Sequence, residues 1–259
     1  MEGTGGAGGG IPGHRARSWR SPQGADTVRI KICGLVDPQR AAMAARLGLD
    51  MIGLVFAPSR RQVSLEQAME IADAVRGCEA TAQDQALDTG TCCCRPSVVG
   101  VFVNLPPEEV NAAAEACSLD YIQLSGDESP NYCRTMNRPF VKSLRLASEN
   151  EIDEMAGQMD AYLRISPDAL FLLDTHMPGV YGGSGHPWDW ERCALLAGRY
   201  PILVAGGLDP ENVAGIVKAV APWGVDVSSG VETNGVKDEA KIKAFIEAVR
   251  SVSPDRFPS

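Results

Sequence analysis

The sequence has 259 residues, of which 44% are hydrophobic, 22% charged and 6% aromatic, a composition typical of a globular chain. Its length suits one large α/β barrel or two smaller domains. The net charge of −9 argues against general nucleic-acid binding, which depends on a surplus of lysine and arginine. The negative net charge does not argue against a small anionic ligand, because backbone amides can hold a phosphate locally. No apolar run is long enough to span a membrane, so we expect no membrane-spanning helix.

Beginning at Val28, short apolar segments alternate with helical patterns along the chain. The apolar segments are rich in Val, Ile and Leu and are mostly apolar on both faces, which is typical of buried parallel strands. The sequence predicts strands over Val28–Cys33, Met51–Phe56, Val98–Val103, Tyr121–Leu124, Phe140–Ser143, Ala169–Leu173, Ile202–Ala205 and Val225–Ser228. It predicts helices over Pro38–Leu47, Ala68–Val75, Pro107–Cys117, Pro130–Met136, Glu149–Leu163, Asp189–Ala197, Pro210–Val220 and Asp238–Val249.

Two of the predicted helices begin with capping signals. Asp37 precedes Pro38, and an N-cap acid followed by proline is a common helix start. Ser64 and Gln67 have the spacing of a capping box ahead of the second helix.

Alternating strands and helices of this number fit either a closed barrel or an open, doubly wound sheet. The open sheet favours a turn rich in glycine after its first strand. Here that turn, residues 33–37, reads CGLVD and has one glycine. The sequence therefore predicts a single (β/α)8 TIM barrel over residues 28–252.

Three segments lie outside the predicted barrel repeat. Residues 1–27 are rich in glycine and lack an apolar core, so we expect a disordered tail and no secretory signal. An organelle transit sequence is the alternative, since Arg15, Arg17 and Arg20 lie in this tail. Residues 77–97 lack periodicity and are expected to form an inserted loop on the barrel face away from the chemistry. Residues 253–259 form the expected C-terminal tail.

The eight cysteines include no C-x-x-C pair, and the chain has three histidines. A disulfide framework is not expected in a chain of this length, and a zinc site at Cys92–Cys94 is disfavoured. We therefore expect a reducing compartment, the cytoplasm, with no bound metal.

Active groups in this fold come from the carboxyl ends of strands and the loops that follow them. Cys33 and Asp174 occupy such positions at the ends of the first and sixth strands. A thiol of lowered pKa can act as a general base and a carboxylic acid as a general acid. The alternatives are a buried hydrophobic thiol and a helix-capping carboxylate. Arg60 and Arg61 follow the second strand and are either an anion-binding fork or a solvated basic pair.

Glycine-rich turns follow the seventh and eighth predicted strands. They read AGGL at residues 205–208 and VSSG at residues 227–230. Glycine allows the backbone to approach an anion closely, and this position is the recurrent phosphate site of such barrels. A third loop, YGGSG at residues 181–185, is expected to act as a lid or to join the same cradle.

An ordered set of short strings in this chain resembles the phosphoribosylanthranilate isomerases of tryptophan biosynthesis. The strings are KICG (31–34), VGVFVN (99–104), IQL (122–124), LLD (172–174), YGGSG (181–185), DW (189–190), AGGLDPENV (205–213) and VDVSSGVE (225–232). The resemblance runs from about Val28 to Val249. It implies a (β/α)8 barrel that catalyses an Amadori rearrangement of N-(5-phosphoribosyl)anthranilate, a phosphosugar, without a cofactor.

The resemblance also implies roles for individual residues. The general base falls on Cys33 and the general acid on Asp174, and the arginine that holds the anthranilate carboxylate falls on Arg61. The substrate-binding positions are completed by Gly183, Gly207, Asp226, Ser229 and Gly230. For Asp226, the alternative is a buried hydrogen-bonding group.

The chain departs from the family pattern at two places. Ser125 stands where the family usually has a histidine, and residues 58–61 are one residue shorter than is common, so Arg60 is the alternative to Arg61. Two other functions stay open: another phosphosugar barrel enzyme, such as the histidine-pathway aminoaldose isomerase, and a catalytically silent barrel. The histidine-pathway enzyme uses an aspartate where Cys33 stands. The chain is expected to be a monomer or a homodimer.

Overall fold

The structure, a computed structural model, describes residues 27–78, 95–145, 152–174 and 190–252. Within these ranges, parallel strands β1 to β8 close into a barrel in sequence order. The strands are β1 (Arg29–Cys33), β2 (Met51–Val55), β3 (Ser97–Phe102), β4 (Tyr121–Leu124), β5 (Phe140–Arg145), β6 (Leu170–Asp174), β7 (Ile202–Ala205) and β8 (Gly224–Val227). The predicted (β/α)8 barrel is confirmed, with strand ends that differ by one or two residues.

Helices follow the strands and cover the outside of the barrel. They are α1 (Pro38–Arg46), α2 (Leu65–Arg76), α3 (Pro107–Ala116), α4 (Pro130–Cys133), α5 (Ile152–Leu163), α6 (Trp190–Ala197), α7 (Val213–Val220) and α8 (Glu239–Arg250). Short strands β9 (Glu232–Thr233) and β10 (Val236–Lys237) form an antiparallel hairpin before α8. None of the helices within the described ranges is both long and apolar enough to cross a membrane.

Local capping explains where several helices begin and end. Asp37 accepts a hydrogen bond from Arg40 N at 2.8 Å, and Ser64 and Gln67 form the predicted capping box. The α4 helix ends at Cys133 and is shorter than predicted, because the backbone beyond it forms three-residue turns, from Thr135 N to Tyr132 O at 3.0 Å and from Met136 N to Cys133 O at 3.2 Å.

The seventh helix begins at Val213, three residues later than predicted. The side chain of Asp209 accepts from Glu211 N and Asn212 N at 2.9 and 2.8 Å, so these residues form a separate turn. A side chain that bonds to nearby backbone offers an alternative to helical hydrogen bonds.

The apolar core has two parts. Most buried side chains fill the layer between the sheet and the surrounding helices. A smaller cluster lies inside the barrel, made by Met51, Val99, Val141, Leu170, Leu172, Leu203 and Ala205. Buried polar residues Lys31, Gln123, Lys142 and Asp226 lie on β1, β4, β5 and β8.

One carboxylate joins the amino-terminal ends of β1 and β2 to the end of α8. Asp50 accepts from Arg29 Nη1 at 2.7 Å, from Ile30 N at 2.8 Å and from Arg250 Nη2 at 2.9 Å. The side chain of Asp50 is only 15% exposed, so these charged hydrogen bonds are partly shielded from water. The cluster lies at the end of the barrel opposite the carboxyl ends of the strands.

Replacing Asp50 by Ala should lower the free energy of unfolding by about 1.5 to 3 kcal/mol, because hydrogen bonds to charged groups would lose their acceptor. Urea denaturation followed by circular dichroism measures the change. The control is Asp73→Ala, which removes a 78% exposed carboxylate from a surface ion pair. We expect that variant to change by less than about 0.5 kcal/mol. Equal effects of the two substitutions would contradict the role of Asp50.

Candidate active site

The carboxyl ends of the strands open into a cavity of about 940 Å³. Its lining includes the predicted site residues Cys33, Arg61, Asp174, Gly207, Asp226, Ser229 and Gly230. The remaining predicted residue, Gly183, lies outside the described residues, as does the rest of the loop over 175–189. The barrel therefore brings distant parts of the chain to one mouth, as the strand-end rule predicts.

Cys33 is the last residue of β1, and its side chain lies beside Lys31 and β2. Its partner in the sheet is Gly53, where an added Cβ would lie only 2.8 Å from Cys33 Sγ. Burial raises the pKa of the Cys33 thiol, and the nearby Lys31 ammonium opposes that effect. A thiolate at this position therefore depends on positive charge from the surrounding side chains.

The second candidate catalytic group, Asp174, is the last residue of β6 and lines the same cavity. The neighbouring strands place Arg145 and Ala205 beside it in register. Its carboxyl group is partly exposed to the cavity, and its charge acts on Asp226 across the mouth. A carboxyl group so placed can deliver a proton to a ligand in the cavity.

Asp226 fits both interpretations made from the sequence. It is 8% exposed and its Oδ1 accepts from Lys31 Nζ at 3.0 Å, so it is a buried hydrogen-bonding group. It also lines the cavity, where a ligand can reach it. Lys31 and Asp226 are partners in the register between β1 and β8, which brings their side chains together inside the barrel.

Arg61 lies against Glu232, a residue to which the sequence analysis assigned no role. Arg61 Nε donates to Glu232 Oε1 at 2.7 Å and Nη2 donates to Oε2 at 3.0 Å, a bidentate pair. The alkyl chain of Arg61 packs on Gly34, where an added Cβ would clash with Arg61 Cδ. Gly34 also has a φ of +79°, which favours glycine. The arginine is therefore held in one orientation at the mouth.

Glu232 gathers positive charge at this side of the cavity. Among the described residues, Arg60 Nη2 and Lys237 Nζ also donate to it, at 2.8 and 2.9 Å. Burial favours the neutral acid, but the bonds from Arg61 and Lys237 outweigh it, and the pKa of Glu232 falls to about 2. One carboxylate then faces three cations, which leaves the region electropositive and suited to an anion.

The structure separates the two neighbouring arginines. Arg61 lines the cavity and its side chain is 21% exposed, whereas the Arg60 side chain is 59% exposed. Arg60 is absent from the cavity lining as far as the described residues define it. The geometry favours Arg61 as the ligand-binding residue of the pair.

The two glycine-rich turns lie against each other. Gly206 and Gly207 have φ values of +97° and +66°, conformations that favour glycine. A Cβ on Gly230 would clash with Leu208 O, so this close approach requires glycine. Ser229 begins a short 3₁₀ helix at the same place. The turns thus place main chain from two loops at one wall of the cavity.

A polar cluster at the ends of β4 and β5 was not predicted. Ser125 Oγ lies 2.9 Å from Ser143 Oγ, and Gln123 Nε2 donates to Ser125 Oγ at 3.1 Å. Ser125, where the resemblance led us to expect a histidine, therefore supplies a hydroxyl group that pairs with the hydroxyl of Ser143. The position of Gln123 in the string IQL was the signal that could have identified this cluster.

A buried ion pair fixes the loop after β4. Lys142 Nζ donates to Glu128 Oε2 at 2.7 Å and to Gly126 O at 2.6 Å. Glu128 Oε1 in turn accepts from Asn104 N at 2.9 Å. Both charged side chains are nearly inaccessible to water, so the pair holds the loop rigidly against the barrel. In the described part of the chain, no group of three or more His, Cys, Asp or Glu is placed to hold a metal ion.

Comparison with known proteins decides the family. A sequence model described as N-(5'phosphoribosyl)anthranilate (PRA) isomerase matches residues 30–248. The chain belongs to the phosphoribosylanthranilate isomerase family. An N-(5'-phosphoribosyl)anthranilate isomerase of Dehalococcoides mccartyi is 42% identical over 231 residues, covering 89% of this chain and 99% of the relative. One from a Roseiflexus species is 44% identical over 228 residues, covering 87% and 99%.

Solved structures of this isomerase family share the barrel. The phosphoribosyl anthranilate isomerase of Thermotoga maritima has a TM-score of 0.71 at 32% identity, over 87% of this chain and 100% of that chain. A second structure holds reduced 1-(o-carboxyphenylamino)-1-deoxyribulose 5-phosphate, with a TM-score of 0.68 at 30% identity and the same coverage.

Replacing Gly230 by Ala should weaken binding of inorganic phosphate by about tenfold or more, because the new methyl group would push apart the two turns. Isothermal titration calorimetry measures the dissociation constant. The control is Gly215→Ala in α7, where an added Cβ meets nothing within 4 Å. We expect that variant to bind phosphate normally and to be stabilised by about 0.5 to 1 kcal/mol. Unchanged phosphate binding by the Gly230 variant would contradict an anion site at these turns.

Proposed function

We infer that the chain is the enzyme for which its family is named. It converts N-(5-phosphoribosyl)anthranilate to 1-(2-carboxyphenylamino)-1-deoxyribulose 5-phosphate, a step of tryptophan biosynthesis. The observation that carries this proposal is that one cavity is lined by Cys33, Asp174, Arg61 and the two glycine-rich turns. Those groups match the demands of the substrate: an acid, a base, a carboxylate partner and a phosphate site.

The first chemical step opens the sugar. The carboxyl group of Asp174 donates its proton to the ring oxygen, and the bond between that oxygen and C1 breaks. The nitrogen lone pair forms the new C1–N double bond, which leaves a protonated Schiff base. General acid catalysis of this kind requires a carboxyl group within reach of the leaving oxygen, as the cavity position of Asp174 allows.

The second step removes the proton on C2. The Cys33 thiolate takes this proton, the electron pair forms a C1–C2 double bond, and the nitrogen becomes neutral in an enolamine. Tautomerisation then adds a proton to C1 and removes one from the C2 hydroxyl, which yields the ketone. The atoms and electrons of substrate and product are the same, so the chemistry is complete with an acid and a base and we propose no cofactor.

The remaining site residues hold the two anionic ends of the substrate. The Arg61 guanidinium, oriented by Glu232, is placed to receive the anthranilate carboxylate. Main chain at Gly207, Ser229 and Gly230 is placed to receive the phosphate, with Asp226 near the sugar between them. A substrate held at both ends is aligned for proton transfer, which lowers the entropic part of the barrier.

We propose that the enzyme acts in the cytoplasm, as a monomer or a homodimer. A Thermotoga maritima relative is described as dimeric. Sedimentation velocity distinguishes the two states for this chain.

The direct test is turnover of freshly prepared N-(5-phosphoribosyl)anthranilate in the presence of a chelator, with the two isomers separated by chromatography. Cys33→Ala and Asp174→Asn should each lower kcat by about 10²- to 10⁴-fold, the usual contribution of a general acid or base. Circular dichroism should match the parent chain. Near-normal turnover in either variant would overturn the role of that residue, and no turnover by the parent chain would overturn the proposed function.

Arg61→Ala should raise KM by about 10- to 100-fold with little change in kcat, because a hydrogen-bonded charge partner of the substrate is lost. The matched control is Arg60→Ala, which removes a neighbouring arginine from the same carboxylate. We expect less than a threefold effect on KM from the control. A large effect confined to Arg60→Ala would move the carboxylate-binding role to Arg60.

A further inference from the structure

The side chain of Lys31 is a buried cation that takes part in neither step of the proposed reaction. It is fully buried inside the barrel, on β1. Lys31 and Cys33 are two positions apart on the same strand, so both side chains point to the same face. A buried ammonium group is costly unless it is paired, and Asp226 at 3.0 Å supplies one anionic partner.

The geometry brings Lys31 and Cys33 together through a glycine on the next strand. A Cβ added to Gly53 would lie 2.8 Å from Cys33 Sγ and 3.1 Å from Lys31 Nζ. Because Gly53 has no side chain, both groups fit in the space beside it. The ammonium group therefore lies close to both the Asp226 carboxyl group and the Cys33 thiol. Burial raises the pKa of Asp226, and the nearby Lys31 ammonium opposes that effect.

The electrostatic surroundings of Cys33 are made by a small set of charges. In the described part of the chain they are Lys31 on β1, Asp226 on β8, Lys237 on β10, Arg61 over the end of β1 and Asp174 across the cavity. Lys237 donates to Glu232 at 2.9 Å and to Ser228 O at 3.0 Å, so its charge is already engaged. The pKa of Lys31 is raised, because attraction to Asp226 and Cys33 outweighs the cost of burial. The protonated form of Lys31 is therefore favoured at this position.

We propose that Lys31 is a positioning residue whose ammonium group stabilises the Cys33 thiolate, and that Asp226 limits this stabilisation by competing for the same cation. The proposal rests on the proposed function, in which Cys33 is the general base. Lys31 keeps its proton throughout. The proton that Cys33 accepts comes from C2 of the substrate, and the ammonium loses an ionic partner when the thiolate becomes a thiol.

The test measures ionisation of Cys33 directly, without turnover. The rate of Cys33 alkylation by iodoacetamide is followed against pH by peptide mass spectrometry, which separates Cys33 from the other cysteines. Lys31→Met should move the midpoint to higher pH by about 1 to 3 pH units, because a close opposite charge is lost. Asp226→Asn should move it to lower pH, because Lys31 then has the thiolate as its anionic partner.

These opposite shifts are what a merely structural role would not produce. Lys31→Met leaves a buried carboxylate unpaired, so the double variant Lys31→Met/Asp226→Asn keeps the experiment informative if the single variant does not fold. The double variant should titrate at higher pH than Asp226→Asn alone. The matched control is Lys142→Met, which removes another buried lysine of the barrel, paired to Glu128. It should leave the Cys33 midpoint unchanged.

Shifts in the same direction for Lys31→Met and Asp226→Asn, or no shift in either, would overturn the proposal. In variants that retain turnover, the low-pH limb of kcat/KM should move with the alkylation midpoint. Failure of the parent chain to turn over the substrate, with the alkylation shifts intact, would instead reject the proposed function. The two failures are therefore distinguishable.

Discussion

Closure of the sheet between β1 and β8 is the constraint on which the site depends. This seam places Lys31 opposite Asp226 in register, and it brings the end of the first strand beside the loop after the last. The Ser228 hydroxyl donates to Cys33 O at 3.0 Å across the same seam. Without closure, the proposed base and the phosphate turns would lie at opposite edges of an open sheet.

Charge at the mouth is organised in three buried or half-buried groups within the described residues. Lys31 pairs with Asp226, Glu232 gathers arginines and Lys237, and Lys142 pairs with Glu128. Each group satisfies charges that would be costly to bury alone. Because their carboxylates are engaged by cations, the loops at the mouth are held in place, and the proposed anion-binding groups are preorganised before a ligand arrives.

Much of the fold could be predicted from local signals. The repeated alternation of short apolar strands with helices predicted the barrel, and the cap at Asp37 and the capping box at Ser64 predicted where two helices begin. Hydrophobic periodicity and helix capping are both properties of neighbouring residues. The α4 helix and the start of α7 were predicted less well. The start of α7 depends on the Asp209 side chain, which bonds to nearby backbone, and the end of α4 depends on three-residue backbone turns after Cys133. Propensity alone does not reveal either competition.

The sequence by itself determined the barrel, the strand-end positions of Cys33 and Asp174, and the glycines at the last two turns, since these follow from the order of residues along the chain. Only the tertiary structure decided the partners of those groups. Glu232 meets Arg61 from 171 positions away, and Asp226 meets Lys31 from 195 positions away. Likewise, enclosure by the barrel raises the pKa of Cys33, where the sequence analysis required a lowered one. Desolvation and charge act through space. The distances between these groups are set by closure of the sheet and not by their separation along the sequence.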